Sequence, residues 1–123
     1  MAKILIVEDD TLLVKMYETK FLRENFEVIT ASDGEKALEI VKSEPVDLVI
    51  LDFMMPKLSG MDFLREIRTI EGLKNMRVMV LSNMNNPIEM EKVEQLGVLE
   101  ILVKADHTPS QIVDKVKKYL GLK

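Results

Sequence analysis

The sequence predicts one α/β domain: a doubly wound, three-layer (βα)5 sandwich in which helices cover both faces of a five-stranded parallel sheet. Two observations carry that prediction. Short runs of Val, Ile and Leu alternate with longer segments of helical period along the whole chain. The runs at 4–7, 48–51 and 78–81 also lack polar alternation, as central strands covered on both faces do. A chain of 123 residues is the size of a single compact domain, so the expected unit is 1–123 with no linker.

The elements follow in order. KILIV (3–7) reads as the first strand, and Leu13, Tyr17 and Phe21 give the following helix its apolar stripe. FEVIT (26–30) is the second strand, and Leu38 and Val41 mark the second helix. DLVIL (47–51) and RVMVL (77–81) flank a helix carrying Leu64 and Ile67. Val93 and Leu96 belong to the fourth helix, which Gly97 suits as a left-handed stop. EILV (100–103) is the last strand, and Ile112, Val116, Tyr119 and Leu120 form the last stripe. Thr108-Pro109-Ser110-Gln111 has the form of a capping box, which Asn86-Pro87-Ile88-Glu89 repeats. Strict alternation with right-handed crossovers then requires a parallel sheet.

Composition narrows the function. Seventeen Lys plus Arg against twenty-one Asp plus Glu give a net charge of −4 with no basic block, the wrong sign for direct binding to nucleic acid. The absence of Cys excludes disulfides, thiolate metal sites and thiol catalysis, and fits a reducing compartment. No apolar run approaches the roughly 20 residues of a membrane span, and MAKILIVEDD reaches acids too early for a signal peptide. A cytoplasmic protein is expected.

In open sheets of this kind ligands bind at the carboxyl ends of the strands. There the sequence places Glu8, Asp9 and Asp10 after strand 1, Asp52 after strand 3, Ser82 and Asn83 after strand 4, and Lys104 after strand 5. Clustered carboxylates raise one another's pKa unless a cation neutralises them, and Mg2+ suits a site with few carboxylates and room for a phosphate oxygen. Lys104 and Ser82 supply a point charge and a hydroxyl donor for phosphoryl oxygens, so Asp52 reads as a carboxylate nucleophile that accepts a phosphoryl group. Taken singly, each residue has a plainer explanation as a cap, loop or solvated side chain. For Asp10, a helix cap and a direct metal role stand side by side. His107 lacks a second soft ligand and is expected in a loop, and the nine Met are expected mostly to fill core gaps.

VEDD (7–10), LDFMMPKLSG (51–60), VLSN (80–83) and VK (103–104) occur in the order and spacing of the signature positions of a known family. Over essentially its whole length the chain resembles the receiver domain of two-component response regulators. The resemblance implies the flavodoxin-like, CheY-like strand order 2-1-3-4-5. It further implies Asp52 as phospho-acceptor, Asp9 as direct Mg2+ ligand, Glu8 as a ligand through water, and the backbone carbonyl of Met54 as another ligand. Ser82 and Lys104 would grip the phosphoryl group, and Pro56 and Gly60 fit the family's turn after the acceptor. Partners would be a histidine kinase or histidine phosphotransfer protein upstream, contacted through Leu13, Met16 and the loop after Lys104, and a downstream protein effector. The chain would be a self-modifying acceptor, not a turnover enzyme.

Three positions depart from the family pattern. Ala105 replaces a proline usually joined by a cis bond, which leaves the loop strained or rearranged to trans. Ile101 stands where an aromatic usually reads out phosphorylation, and Asn83 replaces a small residue. An alternative is therefore a degenerate or designed receiver used as a constitutive interaction module. A flavin protein would want a Ser/Thr/Gly-rich loop where EDDTLL stands, and an aspartate-nucleophile phosphatase would want an acid at Met54. Met54 and Met84, two positions after the acceptor and after Ser82, are expected to shield the phosphoryl group from water and slow its loss.

Overall fold

The computed structural model describes residues 1–53, 57–83 and 86–122. Five strands, β1 (Lys3–Val7), β2 (Glu27–Ala31), β3 (Leu48–Asp52), β4 (Val78–Ser82) and β5 (Glu100–Val103), alternate with helices α1 (Thr11–Arg23), α2 (Gly34–Ser43), α3 (Gly60–Thr69), α4 (Pro87–Gln95) and α5 (Pro109–Tyr119). All neighbours in the sheet are parallel, in the order β2-β1-β3-β4-β5. The expected architecture is the observed one. β2, β3 and β4 each run one residue later than the hydrophobic runs suggested, because pairing of Ala31 with Val7, Asp52 with Leu81 and Ser82 with Val103 carries the ladder one residue further.

Burial sorts the strands as their composition implied. Every residue of β3 and β4 is buried, and so are four of the five in β1, whereas β2 and β5 form the edges and are only partly covered. Alternation along each strand feeds two cores. Ile4, Ile6, Leu48, Ile50, Met79, Leu81 and Leu102 pack against α1 and α5, while Leu5, Val7, Val49, Leu51, Val78 and Val80 pack against α2, α3 and α4. Truncating a side chain such as Leu48, fully buried in the first layer, would cost roughly 2–5 kcal/mol. Of the methionines, Met79 fills the core as expected and Met61 and Met76 pack at its margin, but Met16 is exposed on the outer face of α1.

Helix ends are closed by the residues the sequence marked, and by some it did not. Thr108 and Gln111 form the full capping box of α5, and Asn86 caps α4 through the amides of Ile88 and Glu89. Gly97 stops α4 at φ 76°. Asn25, at φ 66°, does the same for α1, where the Phe26 amide reaches back to the Phe21 carbonyl at 3.1 Å. Arg68 of α3 donates to the carbonyls of Leu96 (2.6 Å), Met76 (2.9 Å) and Gly97 (3.1 Å), so a cation sits at the negative end of α4. No peptide bond among the described residues is cis, so Lys104–Ala105 is trans, and Lys104–Asp106 forms a 3-10 turn.

Candidate functional site

Register brings the site together. Val7 pairs with Leu51, so the next residues, Glu8 and Asp52, end two adjacent strands side by side. Period-two alternation then puts both carboxylates on the α1/α5 side of the sheet, continuing the rows Ile4-Ile6 and Leu48-Ile50. Lys104 continues the row of Leu102 on that same side. Ser82 pairs with Val103, one residue before Lys104, but follows Val78 and Val80 and so falls to the opposite side of the acceptor with Ile101.

The charged groups meet in a nearly dry setting. Glu8, Asp52 and Ser82 are 4, 3 and 1 % exposed, against a surface of charged residues elsewhere. The Lys104 Nζ lies 2.8 Å from Glu8 Oε2, 3.1 Å from Glu8 Oε1 and 3.2 Å from Asp52 Oδ2. Each of Glu8, Asp9 and Asp52 offers a carboxylate oxygen within 4.8 Å of the others. Asp9, unlike the other two, is exposed. Asp10 settles as a cap: it accepts from the amides of Leu12 (3.0 Å) and Leu13 (3.2 Å) and stands outside the carboxylate group.

The two members of the central ion pair respond unequally to burial. At Glu8 loss of water dominates and, with Asp52 adding to it, outweighs the Lys104 hydrogen bond, pushing the carboxyl up to about 7. At Lys104 burial works to lower the pKa, but Glu8 and Asp52 together override it and hold the ammonium above its usual value. Lys104 is thus shared by Glu8 and Asp52, and Asp9 adds a third carboxylate, so negative charge is in excess among the described residues of the cluster. All the clustered donors are hard oxygens, which fits a second, divalent cation bound beside Asp9. Met54, expected to lend a backbone carbonyl, and Met84 lie outside the described residues.

Other neighbours were not legible in the sequence. Tyr17 of α1 is 3 % exposed in the core layer directly beneath the charges; burial raises its pKa first, and Lys104, Glu8, Asp52 and Asp10 all act on its phenol. Asp33, Gly34 and Lys57 meet at the start of α2, where the chain leaving Asp52 returns. Asn83 is exposed, and His107 sits between the 3-10 turn and α5 with its Nδ1 3.0 Å from the Val103 carbonyl, a loop position as expected. Leu13 is half-buried against the core, whereas Leu12 is 71 % and Met16 46 % exposed beside Pro109. The outward face of α1 is thus Leu12 and Met16, not Leu13 and Met16, because Leu13, Tyr17 and Phe21 form the stripe that packs on the sheet. Among the described residues no helix is long and apolar enough to cross a membrane.

Comparison with known proteins agrees with this geometry. A family model described as the response regulator receiver domain matches residues 4–117. Sporulation initiation phosphotransferase F of Bacillus subtilis is 33 % identical over 121 residues, covering 98 % of this chain and 95 % of that one. The transcriptional regulatory protein CpxR homolog of Haemophilus influenzae is 35 % identical over 98 % of this chain but 51 % of its own length, so the chain spans about half of such regulators. A Thermotoga maritima response regulator, solved in complex with Mg2+ and BeF, superposes with a TM-score of 0.81 at 30 % identity, covering 96 % of this chain and 98 % of that one.

Proposed function

The chain belongs to the response regulator receiver domain family, and from that premise we propose that Asp52 accepts a phosphoryl group from a phosphohistidine in a Mg2+-dependent transfer. The observation that carries this reading is the Lys104 ammonium held 3.2 Å from Asp52 inside a cluster of three carboxylates. Residues 1–123 act as one receiver unit, and the readout is protein contact.

In this reading an Asp52 carboxylate oxygen attacks phosphorus as the bond to the donor imidazole nitrogen breaks, and the departing electron pair stays on that nitrogen. Lys104 moves its hydrogen bonds from Glu8 to the incoming phosphoryl oxygens, which share its charge. The Ser82 hydroxyl donates to the same group from the other side of the strand end. Asp9, Asp52 and the Met54 carbonyl, with Glu8 through water, would hold Mg2+, which would supply positive charge to offset that of acceptor and phosphoryl group. The Thermotoga structure with Mg2+ and BeF supports that choice of ion. The product is a modified form of the protein itself, so no external substrate turns over.

The phosphodonor is a histidine kinase or histidine phosphotransfer protein, the receiver of the signal is a downstream protein effector, and the setting is the cytoplasm. A constitutive interaction module is the second reading, favoured by Ile101 and by the trans Lys104–Ala105 turn. Intact-mass analysis after incubation with a small acyl phosphate and Mg2+ separates the two. One phosphoryl adduct on the native chain and none on Asp52→Ala is expected; no adduct on either refutes the acceptor reading.

A further inference from the structure

Tyr17 brings a hydroxyl into the apolar stripe of α1. The residue is 3 % exposed, in the core layer that holds Ile6, Ile50 and Leu102. Those three stand two positions before Glu8, Asp52 and Lys104 in the same inward rows. A Leu or Phe would fill such a place without a polar atom, whereas a buried Tyr hydroxyl usually meets a partner. The helix sets its direction. Long side chains lean back toward the N-terminus, and α1 begins at Thr11, about 9 Å earlier along the axis and directly after the acids of the rim. The phenol therefore leans toward the charged cluster, and Lys104, Glu8, Asp52 and Asp10 all act on it.

The hydroxyl is not committed elsewhere. It makes no hydrogen bond to a described residue, and no buried side-chain oxygen among the described residues lacks a partner, so it lies where the core layer meets solvent. Burial raises the phenol above its ordinary range, Lys104 lowers it, and Glu8, Asp52 and Asp10 raise it, so the group stays neutral. A neutral dipole can steady an ammonium without adding to the excess of negative charge, as a fourth carboxylate would. In a dry setting it is also felt more strongly than in water. We propose that Tyr17 is a positioning residue for Lys104: its ring floors the charged cluster and its hydroxyl helps fix the place of the ammonium between Glu8 and Asp52. The consequence rests on the acceptor reading, because Lys104 is the group that meets the incoming phosphoryl oxygens. Tyr17 itself touches neither that group nor the metal.

The test compares the full chain with Tyr17→Phe and the control Tyr119→Phe, each of which keeps a ring and removes only a hydroxyl. Tyr119 suits the control because its hydroxyl donates to Glu100, which also holds Lys115 Nζ at 2.8 Å. Side-chain nitrogen spectra of the metal-free proteins follow the two ammonium groups, with Lys104 assigned through Lys104→Met. Tyr17→Phe is expected to move the Lys104 resonance and spare that of Lys115, and Tyr119→Phe to do the reverse. In the reciprocal measurement, Lys104→Met should move the ring resonances of Tyr17 and not those of Tyr119. Tyr17→Phe should also slow phosphorylation by a small acyl phosphate roughly three- to tenfold at a near-native melting temperature, as loss of one modest polar interaction does. Tyr119→Phe should keep the native rate. A Lys104 resonance unmoved in Tyr17→Phe, or moved no more than that of Lys115, overturns the proposal, and so does a native rate in that variant. Should Tyr17→Phe not fold, Tyr17 ring resonances indifferent to Lys104→Met overturn it. A native chain that takes up no phosphoryl group refutes the acceptor reading instead, and the spectra alone then decide the role of Tyr17.

Discussion

Replacing Glu8 with Gln removes one negative charge from a group that the fold keeps dry. In the native state the Glu8 carboxyl is pushed from its ordinary 4.5 up to about 7, chiefly by burial, with Asp52 adding to the effect. Between those two values the folded protein binds a proton that the unfolded chain releases, so stability falls as pH rises through the window. The folded state thus carries a penalty that is absent below about 4.5 and complete above about 7. At about 1.4 kcal/mol for each pH unit, the full penalty is on the order of 3 kcal/mol, a ceiling because Lys104 and Asp52 rearrange with it. Urea unfolding of the metal-free protein in chelator from pH 5 to pH 8 measures this directly. The native chain should lose stability with rising pH, and Glu8→Gln should show a flatter profile and be the more stable protein at pH 8. Subtracting the two profiles cancels the titrating groups remote from Glu8, leaving the response of Glu8 together with Lys104 and Asp52, to which it is linked. Parallel profiles, or a Glu8→Gln protein less stable at pH 8, would refute the claim that burial dominates at Glu8.

The same excess of negative charge predicts that Mg2+ raises the melting temperature of the native chain, and that Asp52→Asn stabilises the metal-free protein by on the order of 1 kcal/mol, read by thermal unfolding with and without the ion. On the outward face of α1, Leu12→Ala and Met16→Ala should slow transfer from a phosphohistidine protein while leaving phosphorylation by a small acyl phosphate unchanged, whereas Leu13→Ala should mainly lower stability; matched rates with both donors for all three would remove the docking role. Exchanging Met54→Asn together with Met84→Glu should speed loss of the phosphoryl group, followed by intact mass over time, because polar side chains orient water where thioethers do not. A native phosphoprotein that already decays as fast as the double variant contradicts the shielding expectation.

Lys104 divides its ammonium between Glu8, at 2.8 Å, and Asp52, at 3.2 Å, so the carboxylates that end β1 and β3 share one buried cation.

Strand and helix identity were local properties. Uninterrupted apolar side chains in LVIL and VMVL can be satisfied only by cover on both faces, and the Thr108 box and Gly97 stop close their helices through bonds made within a few residues. The acid, hydroxyl and lysine at successive strand ends were legible for the same reason, since alternating β and α units place every strand end on one rim. What the sequence could not show depends on contacts between distant segments. Pairing of Val7 with Leu51 decides that Glu8 and Asp52 share a side, and burial by α1 and α5 decides how hard Glu8 resists ionisation. Asp10 carried the chemistry of a ligand and of a cap alike until the start of α1 claimed its oxygens. Leu13 read both as part of the apolar stripe and as a docking residue; the structure keeps it in the stripe and turns Leu12 outward beside Met16. Gly34 looks in sequence like an ordinary helix start. Only the approach of the Leu58 carbonyl, to a distance where a single added carbon would collide, gives that glycine its meaning.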